Sequence, residues 1–458
     1  MQVSPPDKPS TALSYDDASY WDAAQLEREL RRVGDICHQC RRCLPLCPSF
    51  PKLFELVDAS EAEIAGVSMQ GFDEVNELCF HCELCYNHCP YTPPHAWDVD
   101  FPALMRRQQL VRARRDGVPL LRKLTTHTDW IGKIGRAAPL LMNLANRNRL
   151  SRVLMEKTLG IHRDWIQPPY HSQTTERWFR SRAGRPLRKR ENDLPEGAEA
   201  GADARKRVVL FPTCSVNYSD PLAGRASVEV LEHNGIEVDF SYDRCCGMPF
   251  TDIGDLDSAR RNAERNVGAL LPHVEAGARV VVPGPSCSLM MKTQYPKLLG
   301  TPAAERVAGA IRDLMEYLFE LGRAKQLNRE FKNPLARVAY HAPCHLRAQN
   351  VGSPSRALLK LAGAEVELIE ACSGVDGTWG MQARHHANSL RVASRLLSRI
   401  EQSEPDDVAT DCPLAALRIE ERLGRRPVHP VVLLWRSYGL AGSGEPADPP
   451  ALRPPEAV

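Results

Sequence analysis

The sequence predicts an α+β chain of several domains, in which a helical, cysteine-bearing domain precedes a duplicated α/β domain. Three observations carry this. Two eleven-residue cysteine runs lie in the first hundred residues, strand-like and helical segments alternate after residue 207, and that alternation occurs twice with cysteines in matching places. A chain of 458 residues is long for one compact domain. Its 43% hydrophobic content is ample for cores, and a formal net charge of only +2 gives no global case for nucleic-acid binding.

Residues 1–24, rich in Pro, Ser and Asp, are expected to be disordered up to a short helix that starts near Tyr20 and runs to Val33. A domain over 25–100 follows. It holds Cys37, Cys40, Cys43 and Cys47 before Pro48, and Cys79, Cys82, Cys85 and Cys89 before Pro90. Both runs read C-x2-C-x2-C-x3-C-P, the spacing that binds a pair of [4Fe–4S] clusters in bacterial-type ferredoxins. Three cysteines on a curling loop reach three corners of a cubane, and the last cysteine of each run ligates the other cluster. That assigns Cys37, Cys40, Cys43 and Cys89 to one cluster and Cys79, Cys82, Cys85 and Cys47 to its neighbour. Zinc sites pair two C-x2-4-C knuckles or add histidines at fixed offsets, which fits these runs poorly. His38, His81 and His88 are therefore read as neighbours of the ligands or as solvent-facing. Phe50 to Leu78, between the runs, has room for two short helices.

Residues 101–183 turn helical, with leucines at three- and four-residue intervals. From Phe101 to Asp164 there are fourteen Lys or Arg against four Asp or Glu, which suggests either a solvated basic face or one that docks on a partner or an anionic membrane surface. Residues 184–206 read as a linker. Beyond them Arg207–Phe211, Glu237–Tyr242 and Arg279–Val282 are strands, and Asp220–His233, Leu256–Glu275 and Ala303–Ala324 are helices. This βα order predicts a mainly parallel sheet. Residues 207–330 form a first repeat, 331–440 a second, and 441–458 a disordered tail.

In the first repeat Cys214, Cys245-Cys246-Gly247 and Cys287 follow three successive strands, and in the second Cys344, Cys372-Ser373-Gly374 and Cys412 do the same. The offsets are 130, 127 and 125 residues. Cysteines beyond the carboxyl ends of parallel strands face a shared crevice. Gly247 and Gly374 suit tight turns. The first copy offers four thiols, enough for a third iron–sulfur cluster. The second offers three, which leaves a further site dependent on an open iron, on His341 or His345, or unfilled. His385 and His386 are further candidates, though expected to be solvent-exposed.

The tandem runs, Cys245-Cys246-Gly247, Cys372-Ser373-Gly374 with Gly377-Thr378-Trp379-Gly380-Met381, and His341-Ala342-Pro343-Cys344-His345 together resemble the heterodisulfide-reductase-related, CCG-domain iron–sulfur subunits, a family whose members serve glycerol-3-phosphate and glycolate oxidation. The resemblance spans roughly residues 30 to 435. It implies a ferredoxin-like two-cluster domain followed by a duplicated α/β CCG domain. It also implies a non-catalytic electron-transfer subunit that takes electrons from a flavoprotein dehydrogenase and passes them toward the quinone pool. The chain departs from the fullest pattern, because Cys287 is followed by Ser288-Leu289-Met290 and Cys412 by Pro413-Leu414-Ala415. A rival expectation makes the CCG lobe a thiol/disulfide reductase site. No segment approaches the roughly 20 apolar residues of a spanning helix, and Met1 to Asp22 lack a signal-peptide pattern. The expected place is the cytoplasm, with peripheral association at the inner face of the cell membrane.

Overall fold

The computed structural model describes residues 14–182 and 207–441. The expected linker at 184–206 and the tail beyond 441 lie outside them, as do residues 1–13. Two compact units emerge. Of the described residues, the first comprises 14–126 with 248–259 and 376–379; the second comprises 127–182, 207–247, 260–375 and 380–441. The helical segment 101–183 contributes residues to both.

In the first unit α1 (Ala23–Cys40) begins where the Asp22 side chain accepts the Gln25 N–H, and it carries a buried stripe of Leu26, Leu30, Val33 and Ile36. It runs a further two turns past the expected end at Val33, so Cys37 and Cys40 stand on its last turn. The stretch before it is ordered rather than loose: Tyr15 and Tyr20 meet edge to face at 5.1 Å, and the Arg107 guanidinium donates to the Tyr20 and Ser19 carbonyls at 2.7 Å. Two helices do lie between the runs, α2 (Ser49–Asp58) and α3 (Met69–Glu77). They close on α1, α4 (Leu84–His88) and α5 (Phe101–Asp116) around Phe50, Phe72, Val75 and Leu104. The basic face of α5 is solvated only toward its C-terminal end, at Arg114 and Arg115. Arg106 and Arg107 are buried, the first against Glu83 at 3.2 Å.

The second unit holds two sheets in which every strand pair is parallel. One is ordered β2-β1-β3-β4 from β1 (Arg207–Leu210), β2 (Glu237–Phe240), β3 (Arg279–Val282) and β4 (Ile311–Asp313); the other is β6-β5-β7 from β5 (Arg337–His341), β6 (Glu365–Ile369) and β7 (Asp407–Thr410). The first three strands of each copy share one order, so the duplication is topological. Val208 and Val281 of the first copy and Leu358 and Trp435 of the second belong to one core. The helix expected over Ala303–Ala324 is interrupted by β4, which pairs with β3, and a new helix restarts at Leu314. The reason is local: Asp313 and Glu316 make a reciprocal capping box that stops one helix and starts the next.

Candidate metal centres

In the first unit the chain turns sharply at the cysteines. Arg41 (φ 50°) ends α1 in a left-handed conformation, and His81 (φ 44°) and Glu83 (φ 60°) flank Cys82. These turns bring the thiols of the two runs near one another. Burial pushes the Cys37 thiol well above its ordinary range, and Cys43, Cys89 and Cys40 add to the push. Burial likewise raises Cys43 to about 11, with Cys89 and Cys40 contributing. Cys47 instead feels Cys79 and Cys82, after burial, and Cys85 feels Cys82, Cys79, Cys47 and, least, Cys43. The grouping therefore crosses between the runs. Cys79 is buried and the other seven are partly so, and thiolates packed this closely repel one another until a cation compensates them, which is the chemistry an iron–sulfur cluster requires. Among the described residues no three His, Cys, Asp or Glu side chains converge on a single metal ion, and the thiols suit the corners of a larger group.

The histidines beside the runs have other work. His38 Nε2 meets Asp58 at 2.7 Å, and Arg42 Nε donates to His88 Nε2 at 3.3 Å. A neighbour the sequence did not announce is Trp379, whose indole N–H donates to the Glu77 carbonyl at 2.7 Å and whose ring meets Phe80, between Cys79 and Cys82, at 4.8 Å. Asp376, on the same segment, opposes ionisation of Cys79 and Cys82.

In the second unit the crevice lies where the strand order reverses, beyond β1 and β3. Cys214 stands on the helix Thr213–Tyr218 after β1, Cys287 on the helix Pro285–Leu289 after β3, and Cys245 and Cys246 are buried in the loop after β2. Their thiols form a row in hydrogen-bonding contact, Cys214 to Cys245, Cys245 to Cys246 and Cys246 to Cys287. A fifth thiol, Cys412 of the second copy, acts electrostatically on Cys287. The backbone of the pair is pinned: Asn262 and Asn266 donate to the Cys245 carbonyl at 3.1 and 3.2 Å, and the Tyr295 hydroxyl donates to the Cys246 carbonyl at 3.0 Å. These positioning residues were missed in the sequence, where the signal was two asparagines at i and i+4 on one helix. Gly247 has φ 99°, a conformation costly for any side chain.

The second copy is built differently. Gly374 (φ 67°) is required, since a Cβ there would stand 2.2 Å from the Ser389 carbonyl oxygen. Cys372 accepts the Gly374 N–H at 3.3 Å, Cys344 opens a short helix after β5, and Cys412 precedes the helix Pro413–Leu423. The histidines considered as ligands are occupied. His341 donates from Nε2 to the Ala371 carbonyl at 3.0 Å and pairs Nδ1 with Thr410 at 2.9 Å, while His345 Nδ1 meets Ser286 at 2.8 Å. His385 and His386 are buried rather than exposed, and His386 meets Glu421 at 2.9 Å and stacks on His162 at 3.8 Å. The reason is a buried Arg418, which pairs with Glu421 and needs that acidic surround.

Comparison with known proteins agrees with these two kinds of site. The Citrate utilization protein B Fer4-like domain matches residues 30–116, and the Cysteine-rich domain, CCG, matches 208–292 and 338–419. One component of the anaerobic glycerol-3-phosphate dehydrogenase of Escherichia coli (strain K12) is 29% identical over 336 residues, covering 71% of this chain and 80% of that protein. A component of the fumarate reductase (CoM/CoB) of Methanothermobacter marburgensis is 29% identical over 229 residues, covering 49% and 43%. Lactate utilization protein A of Bacillus pumilus is 28% identical over 230 residues, covering 48% and 92%.

Proposed function

Since the chain carries a Fer4-like domain and two cysteine-rich CCG domains and resembles components of a dehydrogenase and a reductase, we propose that it is the iron–sulfur electron-transfer subunit of such a complex, working between a flavoprotein dehydrogenase and the quinone pool. What supports this reading is that thiols of the two runs act on one another, Cys89 on Cys37 and Cys79 and Cys82 on Cys47. Cys37, Cys40, Cys43 and Cys89 would hold one [4Fe–4S] cluster and Cys79, Cys82, Cys85 and Cys47 the other; Cys214, Cys245, Cys246 and Cys287 would hold a third. An iron–sulfur cluster, when bound, supplies one-electron redox chemistry at a potential set by charge, hydrogen bonds to sulfur and exposure.

The chain's own residues do the rest. Cys79, Cys245 and Cys246 are buried from water, Trp379 and Phe80 cover the loop between Cys79 and Cys82, and Asn262, Asn266 and Tyr295 hold the Cys245-Cys246 backbone still. Potentiometric EPR of the anaerobically reconstituted chain tests the reading. Two or more reducible cluster signals are expected; their complete absence at low potential would overturn it. The row of contacting thiols favours a second reading, disulfide reduction at the CCG lobe, which turnover of a disulfide by the isolated chain would support.

Association with the membrane surface belongs to the same proposal. No described helix is long and apolar enough to cross a bilayer. In the second unit, however, α7 (Thr128–Ala137), α8 (Pro139–Arg147) and α9 (Arg149–Leu159), which follow α6 (Leu120–Thr126) of the first, expose Trp130, Ile134, Leu140, Leu141, Leu144, Leu150 and Leu154, with Leu140 88% and Leu150 80% exposed. The exposed charges among them, Lys133, Arg136, Arg147, Arg149 and Lys157, are all basic. Apolar side chains interleaved with cations match an anionic headgroup layer.

A further inference from the structure

We propose that the second unit contains a binding site for an uncharged, carbonyl-bearing ring of the quinone class, held by a hydrogen bond from His429. The choice of ligand rests on the electron-transfer reading above; the site rests on its own geometry. Two cavities of about 210 and 60 Å³ share Ser219, Asp220, Arg426, Pro427 and His429 and so make one cleft. A space of about 150 Å³ already takes a benzene ring. The wide end is walled by Trp178, Leu222, Val428 and Val432. The narrow end is lined by Ser215 and Asp411, which are bonded in sequence to Cys214 and Cys412. The narrow end thus adjoins the chain segments that carry Cys214 and Cys412.

The polar group that selects the ligand is His429. Its side chain is 6% exposed, and its Nε2 is buried without a hydrogen-bond partner. Nδ1 accepts the Val431 N–H at 3.1 Å, capping the helix Pro430–Ser437, so the ring proton sits on Nε2. A buried N–H with no acceptor is costly, and an acceptor oxygen on a bound ring answers it. The other polar groups argue against an anion. Arg225 is committed to Glu229 at 3.0 Å, Arg426 lies 3.9 Å from Glu420, and the Asp220 carboxylate lines both cavities. An apolar wall lined by one buried donor, with a carboxylate beside each lining arginine, suits a neutral carbonyl.

Titrating the cluster-reconstituted full chain with a short-chain ubiquinone or menaquinone analogue, by calorimetry and tryptophan quenching, tests this. Saturable binding is expected. His429→Asn keeps an N-cap side chain but removes the Nε2 donor, and should weaken binding by about tenfold. Leu222→Trp, which fills the wide end, should abolish it. Unchanged far-UV dichroism and cluster EPR would establish that both variants are folded. No saturable binding by the wild type, unaltered binding by both variants, or displacement of the quinone by a small carboxylate would overturn the proposal. Reducible clusters without quinone binding would sink this site alone; quinone binding without any reducible cluster would sink the electron-transfer reading alone.

Discussion

His341 shows how a single residue trades one role for another. In the sequence it stands three positions before Cys344 and looks like a spare ligand; in the fold it is buried, with both ring nitrogens engaged. Burial pushes its pKa down to about 4. An unfolded histidine titrates near 6.5, so between those values the unfolded chain binds the extra proton. The neutral ring therefore contributes stability that is complete above pH 6.5 and lost as the pH falls through 4, about 3 kcal/mol in all. His341→Asn should flatten the acid limb of a stability-versus-pH curve measured by urea unfolding over that window. An unchanged slope would mean that the ring is not held neutral. Asn266 and Tyr295 make the complementary point, since nothing about their identity in the sequence marks them as the groups that pin the Cys245-Cys246 carbonyls.

At the scale of elements, strands and their ends were the most legible. Arg279–Val282 and the helix Leu256–Glu275 occupy the expected residues, because β-branched runs and a long amphipathic period leave few alternatives. β4 was missed because three residues carry no period, although the Asp313 and Glu316 capping box beside it was readable. The basic helices divide in kind. α5 turns Arg106 and Arg107 inward to Glu83 and to carbonyls, whereas α7 to α9 leave large apolar side chains in solvent. Leu140→Glu with Leu144→Glu should leave the fold unchanged, since both side chains are mostly exposed, and should abolish flotation with anionic vesicles at low salt. Wild-type protein that fails to float under the same conditions would remove the membrane-surface reading.

At the scale of the molecule, the two CCG copies share one core and one strand order but not one chemistry. The first keeps four thiols in contact; the second keeps three cysteines and buries a polar cluster of Arg418, Glu421, His386 and Ser389. Cys246→Ser should therefore remove one iron–sulfur signal and its share of bound iron while leaving the ferredoxin-type pair intact by EPR. Loss of all signals together would mean that the cysteine sets are not separate centres. The segments 248–259 and 376–379, which follow the two CCG motifs in the chain, fold with the first unit. Trp379 thus belongs with Cys79 and Cys82 although some three hundred residues separate them.

By itself the sequence determined the cysteine spacings, the βα alternation and the duplication, since these depend on local periodicity and on motifs that repeat within one chain. Only the tertiary structure decided which thiols face one another, which histidines are already engaged, that α7 to α9 expose their leucines and that His429 lines a cleft with an unanswered donor. Those facts depend on burial and on partners distant in the chain, and no local pattern encodes them.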